Sequence, residues 1–85
     1  MSDLQAQFIQ AQKDVNVLSA RPDNDTLLKL YALFKQATEG DAGGEPPSAF
    51  DFVRKMKFDA WSAIKGTSEH DAMLQYVALV KSLRN

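Results

Sequence analysis

The sequence predicts an all-α fold of four helices in one domain covering residues 1–85. Apolar residues recur at helical spacing in four separate segments. Breaks rich in proline or glycine, or marked by capping residues, separate these segments. The chain has 85 residues and no internal repeat, which fits a single small domain with a modest core.

Helix one is predicted over residues 4–18. Its apolar positions form one narrow stripe, which is typical of a helix that packs on one side. These positions are Leu4, Phe8, Ala11, Val15 and Leu18. Ser2 or Asp3 can cap the first turn.

Helix two is predicted over residues 25–39, after a break in which Pro22 disfavours helical backbone at the preceding residue. Asp23 or Asn24 can cap it, and Gly40 is expected to end it with a left-handed backbone. Its apolar side is wider than one packing partner requires. That side comprises Leu27, Leu28, Leu30, Tyr31, Leu33, Phe34 and Ala37. One edge of the helix is therefore predicted to face the core and the other edge to face something else.

Tyr31 and Lys35 lie on this second edge. They are spaced i,i+4, so their side chains should project side by side. An aromatic hydroxyl beside an ammonium group suits an anion attached to a planar ring, such as a nucleotide. The residues alone predict a site for an anion and an aromatic ring, without naming the ligand.

Residues 41–50 are predicted to form a long loop, because they include two glycines and two prolines and show no helical period. A connection of this length is either functional or spans the distance between helices that are not neighbours.

Helix three is predicted over residues 51–64. Its inner stripe is expected to consist of Val53, Met56, Ala60 and Ile64. Lys57 and Trp61 form a second i,i+4 pair of a cation and an aromatic ring on the adjoining face. Phe58 lies further round the helix and is expected to be exposed or covered by the loop or a ligand.

Basic residues are concentrated in the same helix. Arg54, Lys55 and Lys57 fall within four positions, and Lys65 follows them. This cluster predicts either a local positive site for a small anion or a solvated helix face.

Helix four is predicted over residues 69–83. Gly66 should end helix three. Thr67 or Ser68 should cap helix four, with Asp71 three residues after Ser68 as a variant capping box. The packing stripe is Ala72, Tyr76, Leu79, Val80 and Leu83.

Composition argues against several classes of function. The formal charge of −1 argues against nucleic-acid binding, for which a strongly basic domain is expected. Without cysteine the chain has no thiolate nucleophile, thiolate ligand or disulfide. No apolar run approaches the ~20 residues that span a bilayer, and the N-terminus lacks the features of a signal peptide. A cytoplasmic location is the expectation.

Neither a catalytic residue nor a metal site is assigned. His70 is the only histidine and is expected on the surface at the start of helix four. The acidic residues are scattered over caps and exposed positions, where they cannot converge on a metal ion. Gly43 and Gly44 lack the strand and helix that flank a phosphate-binding loop. No cofactor is expected.

Three motifs occupy most of the chain in order. They are Tyr31-x-x-x-Lys35-Gln36-Ala37-Thr38-x-Gly40-Asp41, Lys57-x-Asp59-Ala60-Trp61 and Lys65-Gly66-Thr67-Ser68-x-x-Asp71-Ala72-Met73-x-x-Tyr76. In residue type and spacing they resemble the acyl-CoA-binding protein family. The resemblance implies an up-down-down-up bundle of four helices with a long loop between helices two and three.

The resemblance also implies a ligand, a medium- to long-chain fatty acyl-CoA held in a bowl formed by the helices. Contacts with the CoA headgroup are implied for Tyr31, Lys35, Lys57 and Tyr76. Leu27 and Leu28 are implied as lining of the groove for the acyl chain.

Two further positions of the implied site depart from the family pattern. Phe34 stands where the family usually has a tyrosine, and its ring can still stack on adenine. Asn16 stands where a lysine is common and keeps a hydrogen-bond donor. The implied protein is a non-catalytic, monomeric carrier of acyl-CoA that contacts acyl-CoA-using enzymes or membranes transiently.

Two rival functions are open at this point. A helical interaction domain could bind an amphipathic partner helix on the wide apolar side of helix two, although such a partner gives no reason for lysines beside aromatic rings. A small enzyme acting on acyl-CoA would need a nucleophile or base cluster that the sequence does not show.

Overall fold

The computed structural model describes residues 3–84. These residues form four α-helices, α1 (Asp3–Val15), α2 (Asn24–Glu39), α3 (Phe52–Ser62) and α4 (Glu69–Leu83). The described residues contain no strand, and the predicted all-α class is confirmed. No helix within residues 3–84 is both long enough and apolar enough to cross a membrane.

Side-chain caps begin three of the helices, and those of α2 and α4 were predicted, whereas Asp51 was predicted as the first residue of helix three. Asp23 caps α2 by accepting a hydrogen bond from the backbone N–H three residues later at 2.8 Å. Ser68 caps α4 in the same way at 3.0 Å, and Asp51 caps α3 at 3.4 Å. Each side chain satisfies an N–H group that has no partner within its helix. Ser2, one of the two predicted caps of α1, lies outside the described residues.

Two helix ends and the backbone conformation of Gly40 differ from the prediction. Helix α1 ends at Val15, because residues 16 and 17 continue only as a turn with i→i−3 hydrogen bonds. Helix α3 ends at Ser62, and a turn carries the chain to Gly66, whose φ is 95°. Gly40 has the expected positive φ of 80°, but its ψ of −150° lies outside the left-handed helical region. Only glycine adopts that combination readily.

Helices α2 and α3 run side by side in the same direction. Tyr31 of α2 meets Lys57 of α3, and Lys35 meets Trp61 four residues further along both helices. A parallel neighbour requires the chain to return along the length of α2, which is ~24 Å for sixteen residues. The long loop after Gly40 covers this distance, but it joins two helices that are neighbours, not the non-adjacent pair that was one of the two expectations.

Helices α1 and α4 also run in parallel. The ring of Phe8 lies edge-on against that of Tyr76 at 5.1 Å, and Asp14 forms an ion pair with Arg84 at 3.1 Å. Helix α2 packs against both α3 and α4, while α1 packs along α4. Because the end of α2 lies near the start of α4, these two helices are antiparallel, and the bundle has the up-down-down-up order.

The core lies between α1, α2 and α4. Its buried apolar residues are Phe8, Ala11, Leu30, Leu33, Ala37, Ala72, Tyr76, Val77 and Val80. None of the residues of α3 is fully buried. The predicted inner stripe of helix three is therefore wrong at Val53 and Met56, which are both exposed. Among the four helices of residues 3–84, α3 packs against α2 alone, so an apolar stripe on it can face an open groove instead of a core.

Candidate ligand-binding groove

Two cavities adjoin one another where α2 and α3 lie side by side. The polar cavity has a volume of about 430 Å³, and the apolar cavity has a volume of about 350 Å³. The polar cavity is lined by Tyr31, Gly43, Glu45, Pro47, Arg54, Lys57, Phe58 and Trp61. The apolar cavity is lined by Arg21, Asn24, Leu27, Leu28, Tyr31, Val53, Met56 and Lys57. Tyr31 and Lys57 line both cavities, which together we call the groove.

The cations and aromatic rings of the groove pair across the two helices. The Nζ atom of Lys57 lies 5.2 Å from the centroid of the Tyr31 ring, and that of Lys35 lies 5.1 Å from the Trp61 ring. The sequence predicted the same four residues as pairs within each helix. Parallel packing in matched register brings the ring of the neighbouring helix within reach of each long lysine side chain, and the cation is attracted to the ring face.

Lys35 occupies a different position from Lys57. It is partly buried, forms an ion pair with Glu39 one turn later, and lines neither cavity. Its contact with Trp61, which does line the polar cavity, connects it to the groove indirectly. Lys57 is exposed and forms no ion pair with any residue in the described range 3–84. The positive charge that faces the groove directly is therefore that of Lys57, together with Arg54 and Arg21.

A partly buried hydrogen-bond network centred on Gln36 holds Trp61 in place. The indole N–H of Trp61 donates to the carbonyl of Gly40 at 2.8 Å and to Oε1 of Gln36 at 3.1 Å. The amide Nε2 of Gln36 donates to the carbonyl of Thr67 at 2.7 Å and to Oδ1 of Asp41 at 2.8 Å. Gln36 is completely buried, and every polar atom of its side chain has a partner. The end of α2 is thus tied both to α3 and to the start of α4.

Asp41 fastens this network to the turn before α4. Its Oδ1 accepts a hydrogen bond from the backbone N–H of Gly66 at 2.8 Å. This bond, followed by the one from Gln36, lowers the pKa of Asp41 below its usual value. The sequence interpretation missed the role of Gln36. The signal available was a polar residue between Leu33 and Ala37 on the packing side of a helix.

The structure places the other predicted site residues in two groups. Leu27 and Leu28 line the apolar cavity, where Val53 and Met56 of α3 face them across the groove. Phe34 is partly buried and stacks on Phe8 at 6.1 Å, outside both cavities. Its contact with a ligand remains a prediction.

Tyr76 and Asn16 lie away from the groove. Tyr76 exposes only 5% of its surface, and burial raises the pKa of its hydroxyl above the usual value. Asn16 follows α1 at an exposed position, where its side-chain amide donates to the carbonyl of Gln12 at 3.2 Å. Neither residue lines the polar or the apolar cavity. Their predicted contacts with a headgroup remain predictions, and the structure does not bring them together with Tyr31 and Lys57.

The groove is suited to an amphiphile with an anionic, aromatic head. Arg54 and Lys57 can donate charge-assisted hydrogen bonds to phosphate oxygens. Tyr31 and Trp61 present rings on which a planar base can stack. The neighbouring apolar cavity can remove an aliphatic tail from water. Both parts are joined at Tyr31 and Lys57, so one ligand can occupy both.

Comparison with known proteins gives consistent matches. The family model described as acyl CoA binding protein matches residues 5–80. The acyl-CoA-binding protein of Saccharomyces cerevisiae is 46% identical over 76 residues, which cover 89% of this chain and 87% of that protein. The enoyl-CoA delta isomerase 2 of Rattus norvegicus is 45% identical over 83 residues, which cover 98% of this chain and 21% of that protein. The crystal structure of Oryza sativa acyl-CoA-binding protein 2 superposes with a TM-score of 0.89 at 36% identity, covering 94% of this chain and 87% of that chain.

Proposed function

The chain belongs to the acyl-CoA-binding protein family, and on this basis we propose that it binds medium- to long-chain fatty acyl-CoA thioesters and carries them inside the cell. The observation that supports the proposal best is the junction of a polar and an apolar cavity at Tyr31 and Lys57. A ligand for a single groove of this kind needs a charged head and an apolar tail on one molecule.

The polar cavity takes the CoA headgroup in this proposal. Arg54 and Lys57 face the phosphates, and Tyr31 and Trp61 offer rings to the adenine. Lys35 acts indirectly, because its ammonium group lies over the ring of Trp61 and not in either cavity. Charge-assisted hydrogen bonds to phosphate are shorter and stronger than neutral ones, so the headgroup fixes the orientation of the ligand.

The apolar cavity takes the acyl chain. Leu27 and Leu28 of α2 face Val53 and Met56 of α3 across it. Burial of a chain contributes ~0.8 kcal/mol per CH₂ group before the costs of ordering. Without a carrier, the thioester would aggregate or partition into membranes. A protein that covers the acyl chain keeps the thioester in solution.

The chain acts by binding alone in this proposal. We infer a cytoplasmic monomer that forms a pool of acyl-CoA and transfers it to acyl-CoA-using enzymes or membranes in transient contacts. The lining of the groove supports the binding role, because it includes cations, aromatic rings and aliphatic side chains suited to holding a ligand.

Calorimetric titration tests the function directly. The ligands are a long-chain acyl-CoA, the free fatty acid of the same length, and free CoA. The acyl-CoA should bind far more tightly than either of its parts, because each part fills only one of the two cavities. Equal affinity for the fatty acid and the acyl-CoA would contradict the carrier function.

A further inference from the structure

Two phenylalanine side chains project into water beside the groove. Phe50, in the loop before α3, exposes 94% of its surface, and Phe52, the first residue of α3, exposes 74%. Neither lines the polar or the apolar cavity. Phenylalanine is among the residues most often buried, and clustered large apolar side chains on a surface mark a binding site.

The apolar surface continues from these rings into the groove. Phe52 and Met56 are spaced i,i+4 and so lie on one side of α3. Val53 and Met56 are themselves exposed, and both line the apolar cavity. Phe50, Phe52, Val53 and Met56 therefore form one apolar strip at the start of α3, which we call the phenylalanine edge.

Positive charge flanks the phenylalanine edge. Arg54 and Lys55 each pair with a carboxylate of the same helix or its cap, Asp51 at 3.7 Å and Asp59 at 2.7 Å. Lys57 and Arg21 line the apolar cavity and form no ion pair with any of residues 3–84. The surface around the strip thus carries uncompensated cations.

We propose that the phenylalanine edge docks on a lipid bilayer with anionic headgroups. Aromatic side chains concentrate at the boundary between headgroups and acyl chains, and basic residues are attracted to an anionic leaflet. An apolar helix edge flanked by cations attaches to a membrane by shallow insertion. A bilayer offers an anionic layer above an apolar one, which matches the cations and rings found here.

Docking in this manner has a consequence that rests on the proposed function. The mouth of the apolar cavity, lined by Val53 and Met56, comes to lie against the lipid. An acyl chain can then pass between the bilayer and the groove without crossing water.

Co-flotation with vesicles tests the docking. One set of vesicles contains phosphatidylcholine alone, a second contains phosphatidylserine as well, and neither contains acyl-CoA. The parent protein should float with the anionic vesicles, and less completely with the neutral ones. Phe50→Ser/Phe52→Ser should reduce binding to anionic vesicles by about fivefold or more, since both inserted rings are lost. Its affinity for acyl-CoA in calorimetry should stay that of the parent, because neither residue lines the groove.

Val17→Ser/Leu74→Ser is the matched control. These two apolar residues expose 79% and 46% of their surface at positions outside the phenylalanine edge, and the control should float as the parent does. Phe50→Ser alone alters only the loop before α3, and it should float less than the control even if the double variant is unstable.

Three results would overturn the docking proposal. They are a parent protein that stays free of both kinds of vesicle, a phenylalanine variant that floats as the parent does, and a control that loses as much binding as the phenylalanine variant. Failure of the parent to bind acyl-CoA in calorimetry would defeat the proposed function instead. The two failures are distinguishable, because the vesicles carry no acyl-CoA.

Discussion

Replacement of Gln36 by its isosteric acid tests how far the hydrogen-bond network around this buried residue supports the fold. In the parent, Nε2 of Gln36 donates to Asp41 and to the carbonyl of Thr67, and Oε1 accepts from Trp61. In Gln36→Glu an oxygen replaces that nitrogen at unchanged volume. The new carboxylate oxygen then faces the oxygens of Asp41 and Thr67, with no hydrogen to share, at a position with 0% exposure.

The expected cost follows from the bonds that are lost. Each of the two donated hydrogen bonds contributes ~1 kcal/mol net, and burying the new carboxylate oxygen of position 36 without a donor costs ~1–3 kcal/mol more. We therefore expect Gln36→Glu to lower the free energy of unfolding by about 3–5 kcal/mol at pH 7. A domain of this size has about 4–13 kcal/mol in total, and its midpoint falls ~4–8 °C per kcal/mol. The melting temperature should therefore drop by at least ~12 °C.

The loss in Gln36→Glu should also depend on pH. Burial and the facing oxygens raise the pKa of the introduced carboxyl in the folded state. Below its unfolded pKa of ~4.3 the group is protonated in both states and regains one donor, so the penalty is smallest there. The penalty grows as the pH rises from that value toward the raised folded pKa. The gap in melting temperature between parent and variant should therefore be narrower at pH 4 than at pH 7.

Thermal and urea unfolding followed by circular dichroism measures both effects. Gln75→Glu, an exposed position on α4, is the matched control and should stay within ~0.5 kcal/mol of the parent. If Gln36→Glu unfolds at the same temperature as this control at pH 7, the network does not carry the stability assigned to it. A gap of equal size at pH 4 and pH 7 would refute the explanation by buried acceptors.

Calorimetry, spectroscopy and acid unfolding test the groove and its support. Lys57→Met should weaken binding of long-chain acyl-CoA about tenfold or more, which is ~1.4 kcal/mol. Lys55→Met, whose cation lines neither cavity, should match the parent, and equal losses would contradict the assignment. Met56→Ser should reduce the gain in affinity per CH₂ across a series of acyl lengths and leave free CoA unaffected; an unchanged series would place the acyl chain elsewhere. The fluorescence of Trp61 should shift on addition of acyl-CoA, and a constant spectrum would remove that ring from the ligand site. The pKa of Asp41 is lowered from 3.8 by its hydrogen bonds, so its stabilising contribution is present above pH 3.8 and disappears as the pH falls through the lower folded value. The stability of Asp41→Asn should therefore fall less steeply than that of the parent as the pH drops below 4. Identical acid-unfolding curves of the two proteins in circular dichroism would exclude this role.

Local signals in the sequence were sufficient for the number of helices and for the caps of α2 and α4, although not for the ends of α1 and α3. Asp23 and Ser68 cap the helices that their spacing predicted, because a cap bonds to an N–H only three residues away. The start and end of α4 agree with the prediction residue for residue. The parallel pairing of α2 with α3 was predicted from the family resemblance. The period of the apolar residues shows which side of a helix is buried but not which helix packs against it.

Contacts between distant segments could not be predicted from the pattern. The stripe through Val53 and Met56 showed which side of helix three is apolar. That no other described helix covers this side depends on tertiary packing, which the pattern does not reveal. The bond from Gln36 to Thr67 joins positions 31 residues apart. The cations and rings were predicted to pair within each helix but pair between α2 and α3. Their partners depend on the register of these two helices, which the long loop separates in sequence.

The pairing of α1 with α4 constrains the order in which the molecule can be completed. Asp14 and Arg84, which form an ion pair, are 70 positions apart in the sequence. The ring of Phe8 in α1 packs against that of Tyr76 in α4. A ribosome delivers α1 first, and the nascent helix then carries its apolar stripe in water until α4 has left the exit tunnel. Bringing α1 and α4 together closes a long loop, which costs chain entropy before their contacts can compensate for that loss. Docking of α1 therefore waits until α4 has emerged, and until then its stripe is a surface that a chaperone can bind.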